Sequence, residues 1–295
     1  MDNWTFLLLI TVLCLLAVAK VTAQSAGAKR LVRTPLDSIL FIALFFFFTS
    51  LAFLPSLLAS PPPFPVVLYA TLAAVLNLAF QVTYTIALAK GPVGITALIS
   101  SLSMIIPMLG ATLFLGESFG ILRIVGLVLT FTALYLNTDF KRGARGFSRI
   151  WTIAAVLCFL SNGFASFWQK IFALSDYGTE IAGYSFFSYF LASVIAILAL
   201  LILGRKKEWR PTAPLSRSLF GWCALVGLFL GCFQWFFTYS QRVVEASLLL
   251  PFHSGTSTLL MTVVGVVLFK ERLSPRRIAG VAVGIAAIVL FGIAQ

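Results

Sequence analysis

Polar side chains recur at helical spacing inside stretches that are otherwise apolar. Asn77, Gln81 and Tyr84 follow one another at intervals of four and three residues, so on a helix they share one face. Gln234 stands in a second stretch of the same kind. Polar groups in hydrocarbon usually face a partner or a wet cavity. We therefore predict two polar walls of a binding cavity, with hydrogen bonding between packed helices as the alternative.

Further polar candidates lie near two prolines, Pro107 and Pro251. A proline inside a helix leaves a backbone carbonyl without its usual donor, and a ligand can use that carbonyl. The binding candidates are Ser100, Ser103 and Ser257, with Asn162 from a further apolar stretch. Close helix packing through small residues is the alternative for each of them.

His253 and Lys20 are the candidates for coupling. His253 is the only histidine in the chain, and imidazole is the side chain that titrates near neutrality. It is predicted to contact substrate and to exchange protons, with a packing role as the alternative. Lys20 lies inside the first apolar stretch, where it either reaches the headgroups or faces the cavity and selects an anionic group.

The residues needed for catalysis are missing from the sequence. All nine Asp and Glu residues fall between apolar stretches or at their ends. With one histidine, no metal-ligand spacing and no base beside a nucleophile, we predict no catalytic residue, metal or cofactor, and no enzyme activity. Glu117 and Glu271 each precede an arginine by six residues, so we expect each to cap the next helix or pair with that arginine.

The elements that position these residues must be membrane helices. Of the 295 residues, 60% are apolar and 10% are charged, and the mean hydropathy is +1.04. This composition excludes soluble, disordered and disulfide-scaffold classes. Apolar blocks of about 20 residues suit a ~30 Å hydrocarbon core. We predict an all-α polytopic membrane protein with ten helices: Trp4–Gln24, Leu36–Leu58, Pro65–Leu88, Val93–Leu115, Gly120–Leu136, Arg149–Phe172, Ile181–Leu203, Leu219–Gln241, Ala246–Phe269 and Arg276–Ile293.

The basic residues serve as topology signals. The formal charge is +12, but Lys and Arg lie between apolar blocks and form no basic face for nucleic acid. They cluster after the odd-numbered helices, and only Arg123 and Arg242 lie in the opposite loops. Positive loops stay in the cytoplasm. Both termini are therefore predicted outside the cytoplasm. The compact loops favour a bacterial inner membrane, with an organellar membrane as the alternative.

The second half of the chain repeats the first after a shift of about 154 residues. The matching pairs are Gln81 with Gln234, Glu117 with Glu271, Arg123 with Arg277, and Gly126 with Gly280. Five spans per half is an odd number, so the second copy enters the membrane in the opposite sense. We predict two inverted five-helix repeats, residues 1–140 and 148–295. Such repeats are typical of secondary transporters with a site near the midplane.

Three motifs carry a resemblance to a known family. They are YTIALAKGPVGITALISSL from Tyr84, LFLGES from Leu113, and LFKERLSPRRIAG from Leu268. These resemble the ten-helix EamA-like members of the drug/metabolite transporter superfamily. The resemblance implies a five-plus-five helical transporter whose central cavity is lined mainly by the first four helices of each half. It names no substrate, and many members are drawn with cytoplasmic termini, the reverse of the loop-charge prediction.

The functional prediction is a secondary active transporter. It would move a small polar or amphipathic metabolite by alternating access through a cavity between the repeats. The alternative is a translocator of a lipid or lipid-linked intermediate, which a Phe-rich groove open to the bilayer would suit. The expected partners are a small-molecule substrate and the lipid bilayer, with no nucleic acid, in a monomer or homodimer. Import or export and the coupling ion stay open.

Overall fold

The computed structural model describes residues 3–90, 93–117, 120–137, 148–206, 216–269 and 274–293. These ranges hold eleven α-helices and no strand. The helices are α1 (Asn3–Leu31), α2 (Pro35–Ala59), α3 (Phe64–Lys90), α4 (Val93–Leu102), α5 (Ile105–Leu115), α6 (Ile121–Asn137), α7 (Arg149–Leu174), α8 (Ile181–Lys206), α9 (Arg217–Val243), α10 (Ala246–Phe269) and α11 (Pro275–Ile293).

Seven segments of the described chain are long and apolar enough to cross a membrane. One of them, Ile95–Leu115, contains both α4 and α5, and α6 is apolar but shorter, at 17 residues. The prediction of an all-α membrane protein is confirmed. The first helix runs to Leu31 instead of Gln24, because the Ala, Lys and Arg residues that follow the apolar stretch are good helix formers.

Pro107 explains why the fourth predicted helix is divided into α4 and α5. A proline has no N–H for the carbonyl four residues earlier, which here belongs to Ser103. That carbonyl accepts from the N–H of Ile106 at 3.1 Å instead. Pro251 has no such effect, because α10 continues through it. It lies early in α10, in the second turn, so the later turns of the helix form normally.

The chain forms two compact units, and each unit draws on both halves of the sequence. Unit 1 contains Met1–Leu15, Thr83–Ile171 and Ser240–Gln295, and unit 2 contains Leu16–Val82 and Phe172–Tyr239. This division differs from the two predicted domains, which follow the sequence halves. The boundaries 1–140 and 148–295 stay a prediction.

In unit 2, α2 packs along α8 in the antiparallel sense. The rings of Phe46 and Tyr189 are 5.2 Å apart, and the Ser193 hydroxyl donates to the Ala43 carbonyl at 2.8 Å. The residue number rises along one helix as it falls along the other, so the helices run in opposite directions. A capping box of Thr34 with Asp37 begins α2, supplying partners for N–H groups that the helix leaves free.

In unit 1, α6 packs along α11, also in the antiparallel sense. Gly126 near the start of α6 lies against the ring of Phe291 near the end of α11. Reciprocally, Gly280 near the start of α11 lies against Asn137 at the end of α6. With the repeat shift of 154 residues, Gly126 corresponds to Gly280 and Phe291 corresponds to Asn137, so the two contacts are equivalent. The helices thus pack around a local two-fold relationship.

Candidate functional site

Three predicted binding residues of unit 1 meet at the break between α4 and α5. The Asn162 side-chain amide donates to the Ser103 hydroxyl at 2.6 Å and to the Ser100 carbonyl at 3.1 Å. The Ser103 hydroxyl also donates to the Ser100 carbonyl, at 2.6 Å. The interrupted helix leaves backbone groups that need partners, and these side chains supply them. The same groups can exchange a protein partner for a ligand.

Close packing of α7 on α5 holds Asn162 at this break. Its neighbour Gly163 faces Ile106 so closely that a Cβ atom there would collide with the isoleucine side chain. One turn before Asn162, the Cys158 thiol lies beside the Ser100 hydroxyl and within electrostatic range of Tyr84. The structure therefore brings Tyr84, Ser100, Ser103 and Asn162 into one neighbourhood of unit 1.

His253 and Ser257 lie one turn apart on α10 and form a second polar group in unit 1. The Nδ1 atom of His253 is 3.5 Å from Sγ of Cys14 on α1, and Cys14 is fully buried. The same thiol lies beside the hydroxyls of Thr256 and Ser257. Both hydroxyl oxygens are buried and make no hydrogen bond of standard geometry within the described residues. Such groups are open to a ligand's hydrogen bonds.

Cys14 was not predicted as a site residue, whereas Thr256 is one of the small hydroxyls noted near Pro251 in the sequence. The sequence places both inside apolar stretches, where a thiol or a small hydroxyl usually packs. Thr256 lies one turn from His253 on the same helix, which is a local signal. Cys14 has no such signal, because it is far from His253 in the sequence.

The remaining predicted residues belong to unit 2. Gln81 and Gln234 are buried, and Asn77 and Lys20 are half-buried. The Tyr189 hydroxyl of α8 donates to Oε1 of Gln234 at 3.0 Å. Tyr189 was missed, although a buried phenol in an apolar helix needs a partner. That Gln81 and Gln234 form two walls of one cavity stays a prediction.

Glu117 has different partners from those expected from its sequence position. Its Oε1 lies 2.6 Å from Nζ of Lys170, and its Oε2 accepts from the backbone N–H of Ala246 at 2.6 Å. Arg123 instead pairs with Glu245. The expected pairing with Arg123 is therefore wrong for Glu117, because its carboxylate contacts Lys170 and the start of α10 instead. The expected capping of α6 stays a prediction. The corresponding Glu271 lies outside the described residues.

The described residues contain an apolar cavity of about 170 Å³. It is lined by Ile99, Trp151, Thr152, Ala155, Val156 and Phe159. None of the predicted binding residues lines it, and the indole N–H of Trp151 is bonded to the Thr96 hydroxyl at 3.0 Å. This cavity can hold an apolar group but offers a polar ligand little to bind. Within the described residues, no three His, Cys, Asp or Glu side chains form a metal site.

Comparison with known proteins agrees with this architecture. The model of the EamA-like transporter family matches residues 7–138 and 149–293. No curated protein matches the chain. Among solved structures, one described as "Crystal structure of protein" is similar with a TM-score of 0.75 and 17% identity, covering 96% of this chain and 94% of that one. At that identity the likeness shows the fold alone. Because the family match spans nearly the whole sequence in two copies, the chain belongs to the EamA-like transporter family.

Proposed function

We propose that this membrane transporter is a secondary active one that works by alternating access. Family membership indicates transport of the drug/metabolite type. The proposed cargo is a small polar or amphipathic metabolite, which crosses through a central cavity between the two repeats.

The packing of equivalent helices carries the proposal. α2 and α8 are the second helices of the two sequence halves, and α6 and α11 are the last. Each pair packs antiparallel within its own unit. Antiparallel packing of equivalent elements is expected of an inverted repeat, whose two copies can exchange conformations and open a site to either side in turn. This relationship supports alternating access over a fixed channel.

The chemistry of the candidate residues supports a polar substrate. The proposed binding residues are Asn77, Gln81, Tyr84, Ser100, Ser103, Asn162, Gln234, His253 and Ser257. Amides, hydroxyls and an imidazole both donate and accept, so they suit a neutral or zwitterionic metabolite with several hydrogen-bonding groups. His253 and Lys20 remain the proposed coupling residues. The proposal assigns no catalytic step to the protein.

One observation favours a second candidate function, translocation of a lipid or lipid-linked intermediate. The cavity between α4 and α7 is lined by apolar groups such as Ile99 and Phe159. An acyl chain would suit such a lining, whereas a polar metabolite would not. The cluster of Asn162 with Ser103 favours the polar metabolite.

The proposed orientation rests on the loop charges, and the proposed membrane rests on the compact loops and the family resemblance. Both termini lie outside the cytoplasm of a bacterial inner membrane, and the protein acts as a monomer or homodimer without nucleic acid. Reagents that label engineered terminal cysteines from only one side of oriented vesicles test this orientation.

A thermal-stability screen in detergent tests the function. The library contains metabolites, amino acids, nucleosides, cationic drugs and lipids, because a ligand that binds only the folded state raises the melting temperature. We expect a concentration-dependent polar hit that is lost in Gln81→Ala. The control is Thr71→Val on the same helix, where the exposed hydroxyl donates to the Val67 carbonyl of its own helix. Stabilisation by lipids alone would replace the proposal with the lipid translocator.

A further inference from the structure

Four charged side chains meet where α9 ends and α10 begins. Lys170 and Glu117 form an ion pair with an N–O distance of 2.6 Å, and Arg123 pairs with Glu245. The Lys170 and Glu117 side chains are only 2% and 8% exposed, whereas Glu245 is 41% exposed. We call these four residues the joint cluster. None of them is among the proposed binding or coupling residues.

Lys170 connects α7 to the end of α9. Its ammonium donates to the carbonyls of Gln241 and Val244, each at 2.8 Å. The last carbonyls of a helix have no donor within that helix, and they carry the negative end of its dipole. The lysine therefore satisfies orphan acceptors at the position where a cation is most favourable.

Glu117 connects the turn after α5 to the start of α10. Its Oε2 accepts from the N–H of Ala246, the first residue of α10, at 2.6 Å. This carboxylate lies at the positive end of the helix dipole. Since the same carboxylate binds Lys170, the ion pair spans the α9–α10 turn and fixes both helix ends together.

One feature of this arrangement is energetically unfavourable: the burial of the Gln241 side chain. This residue is fully buried, and neither atom of its side-chain amide has a hydrogen-bond partner within the described residues. A buried amide without partners is unfavourable relative to one in water. Opening the α9–α10 joint to water would remove this cost. Separating Lys170 from Glu117 would carry a cost of its own, so a closed and an open arrangement of the joint would each have one unfavourable feature.

We propose that the pair of Lys170 with Glu117 is a latch: it holds the α9–α10 joint closed, and the joint opens in the transport cycle with hydration of Gln241. Lys170 and Glu117 act as positioning residues that touch no substrate. The role in a cycle rests on the proposed function, whereas the opening itself does not.

Accessibility of residue 241 tests the latch without any substrate. The parent for this test carries Gln241→Cys and Cys232→Ser, because Cys232 is exposed while the other three cysteines are buried. Labelling is measured in proteoliposomes with a charged, membrane-impermeant methanethiosulfonate. Glu117→Gln should speed labelling at least tenfold by removing the charge that holds Lys170. The control Glu245→Gln removes a carboxylate that is 41% exposed and does not contact Lys170, so its labelling rate should stay within twofold of the parent.

A second variant keeps the test decisive if Glu117→Gln fails to fold. Removing one partner leaves a buried unpaired charge, whereas removing both does not, so Glu117→Met with Lys170→Met should fold. The latch requires fast labelling in this double variant also. Equal labelling rates in parent and double variant would overturn the proposal. Failure of the stability screen to find any ligand, with labelling as expected, would count against the transport proposal and leave the latch in place.

Discussion

The side-chain amide of Asn162 lies 2.6 Å from the Ser103 hydroxyl, at the point where Pro107 divides a membrane helix. The contact joins α7 to the broken segment within unit 1. It also satisfies the carbonyl of Ser100. A discontinuous helix lined by hydrogen-bonding side chains is the kind of element that transporters use to bind polar substrates near the membrane midplane.

Replacing Asn162 with Ala should weaken ligand binding about tenfold or more, since loss of one partner strands a buried polar group at a cost of roughly 1–3 kcal/mol. The control is Ser161→Ala on the same helix, because the Ser161 hydroxyl bonds carbonyls of α7 itself. Calorimetric titration with a hit from the stability screen measures both variants. Equal affinity in Asn162→Ala and Ser161→Ala would remove Asn162 from the binding site.

Tyr189→Phe should lower the free energy of unfolding by about 1–3 kcal/mol, because the side-chain amide oxygen Oε1 of Gln234 loses its donor inside the apolar core of unit 2. The bond is 3.0 Å long and both residues are buried. Thermal unfolding in detergent measures the change. Tyr239→Phe on α9, where the side chain is 40% exposed, serves as the control. Equal melting temperatures for the two variants would argue against the Tyr189 bond as a source of stability.

Gly227→Ala should destabilise unit 2, because α9 approaches the backbone of α2 at this glycine. An added Cβ atom would lie 2.7 Å from Cβ of Phe48 and 2.9 Å from the backbone nitrogen of Thr49. Overpacking of this kind costs about 1–3 kcal/mol. Gly221 on the same helix has open space around it, so Gly221→Ala should be neutral or stabilising by up to ~1 kcal/mol. Unfolding curves that coincide for the two variants would contradict this close approach.

Most of the helical framework was predictable because hydrocarbon demands long apolar segments. The described helices follow the ten predicted spans, and the proline rule anticipated the interruption at Pro107. The same rule did not show that the helix would break near Pro107 and continue through Pro251, because the effect of a proline depends on how far it lies from the start of its helix. The repeat was also predictable from the sequence, because residues such as Gly126 and Gly280 occupy matching positions in the two halves. The family was predictable from the three motifs.

The charged contacts were not predictable. In the sequence, Glu117 lies between two predicted helices and Lys170 lies near the end of another, and neither position indicates burial. Their burial depends on the contacts that Glu117 makes with α7 and with the start of α10, which are tertiary relationships with no local signal. The contact of Cys14 with His253 joins residues 239 positions apart, and helical periodicity does not predict a contact of that kind. Sequence reasoning identified polar residues in apolar helices but could not identify their partners.

His253→Gln should flatten the pH dependence of transport. The imidazole lies 3.5 Å from the Cys14 thiol in unit 1, and among the side chains of the candidate site it is the one whose ordinary charge change falls between about pH 5 and 8. Glutamine keeps a hydrogen-bonding amide at this position but cannot take up a proton.

Cys14→Ala is the matched control, because it removes the thiol partner and leaves the imidazole. Uptake of a radiolabelled hit into proteoliposomes, measured across this pH range, should give a sloping profile for the wild type and Cys14→Ala and a flat one for His253→Gln. A slope that survives in His253→Gln would assign coupling to another residue, and Lys20→Met would then be measured in the same assay.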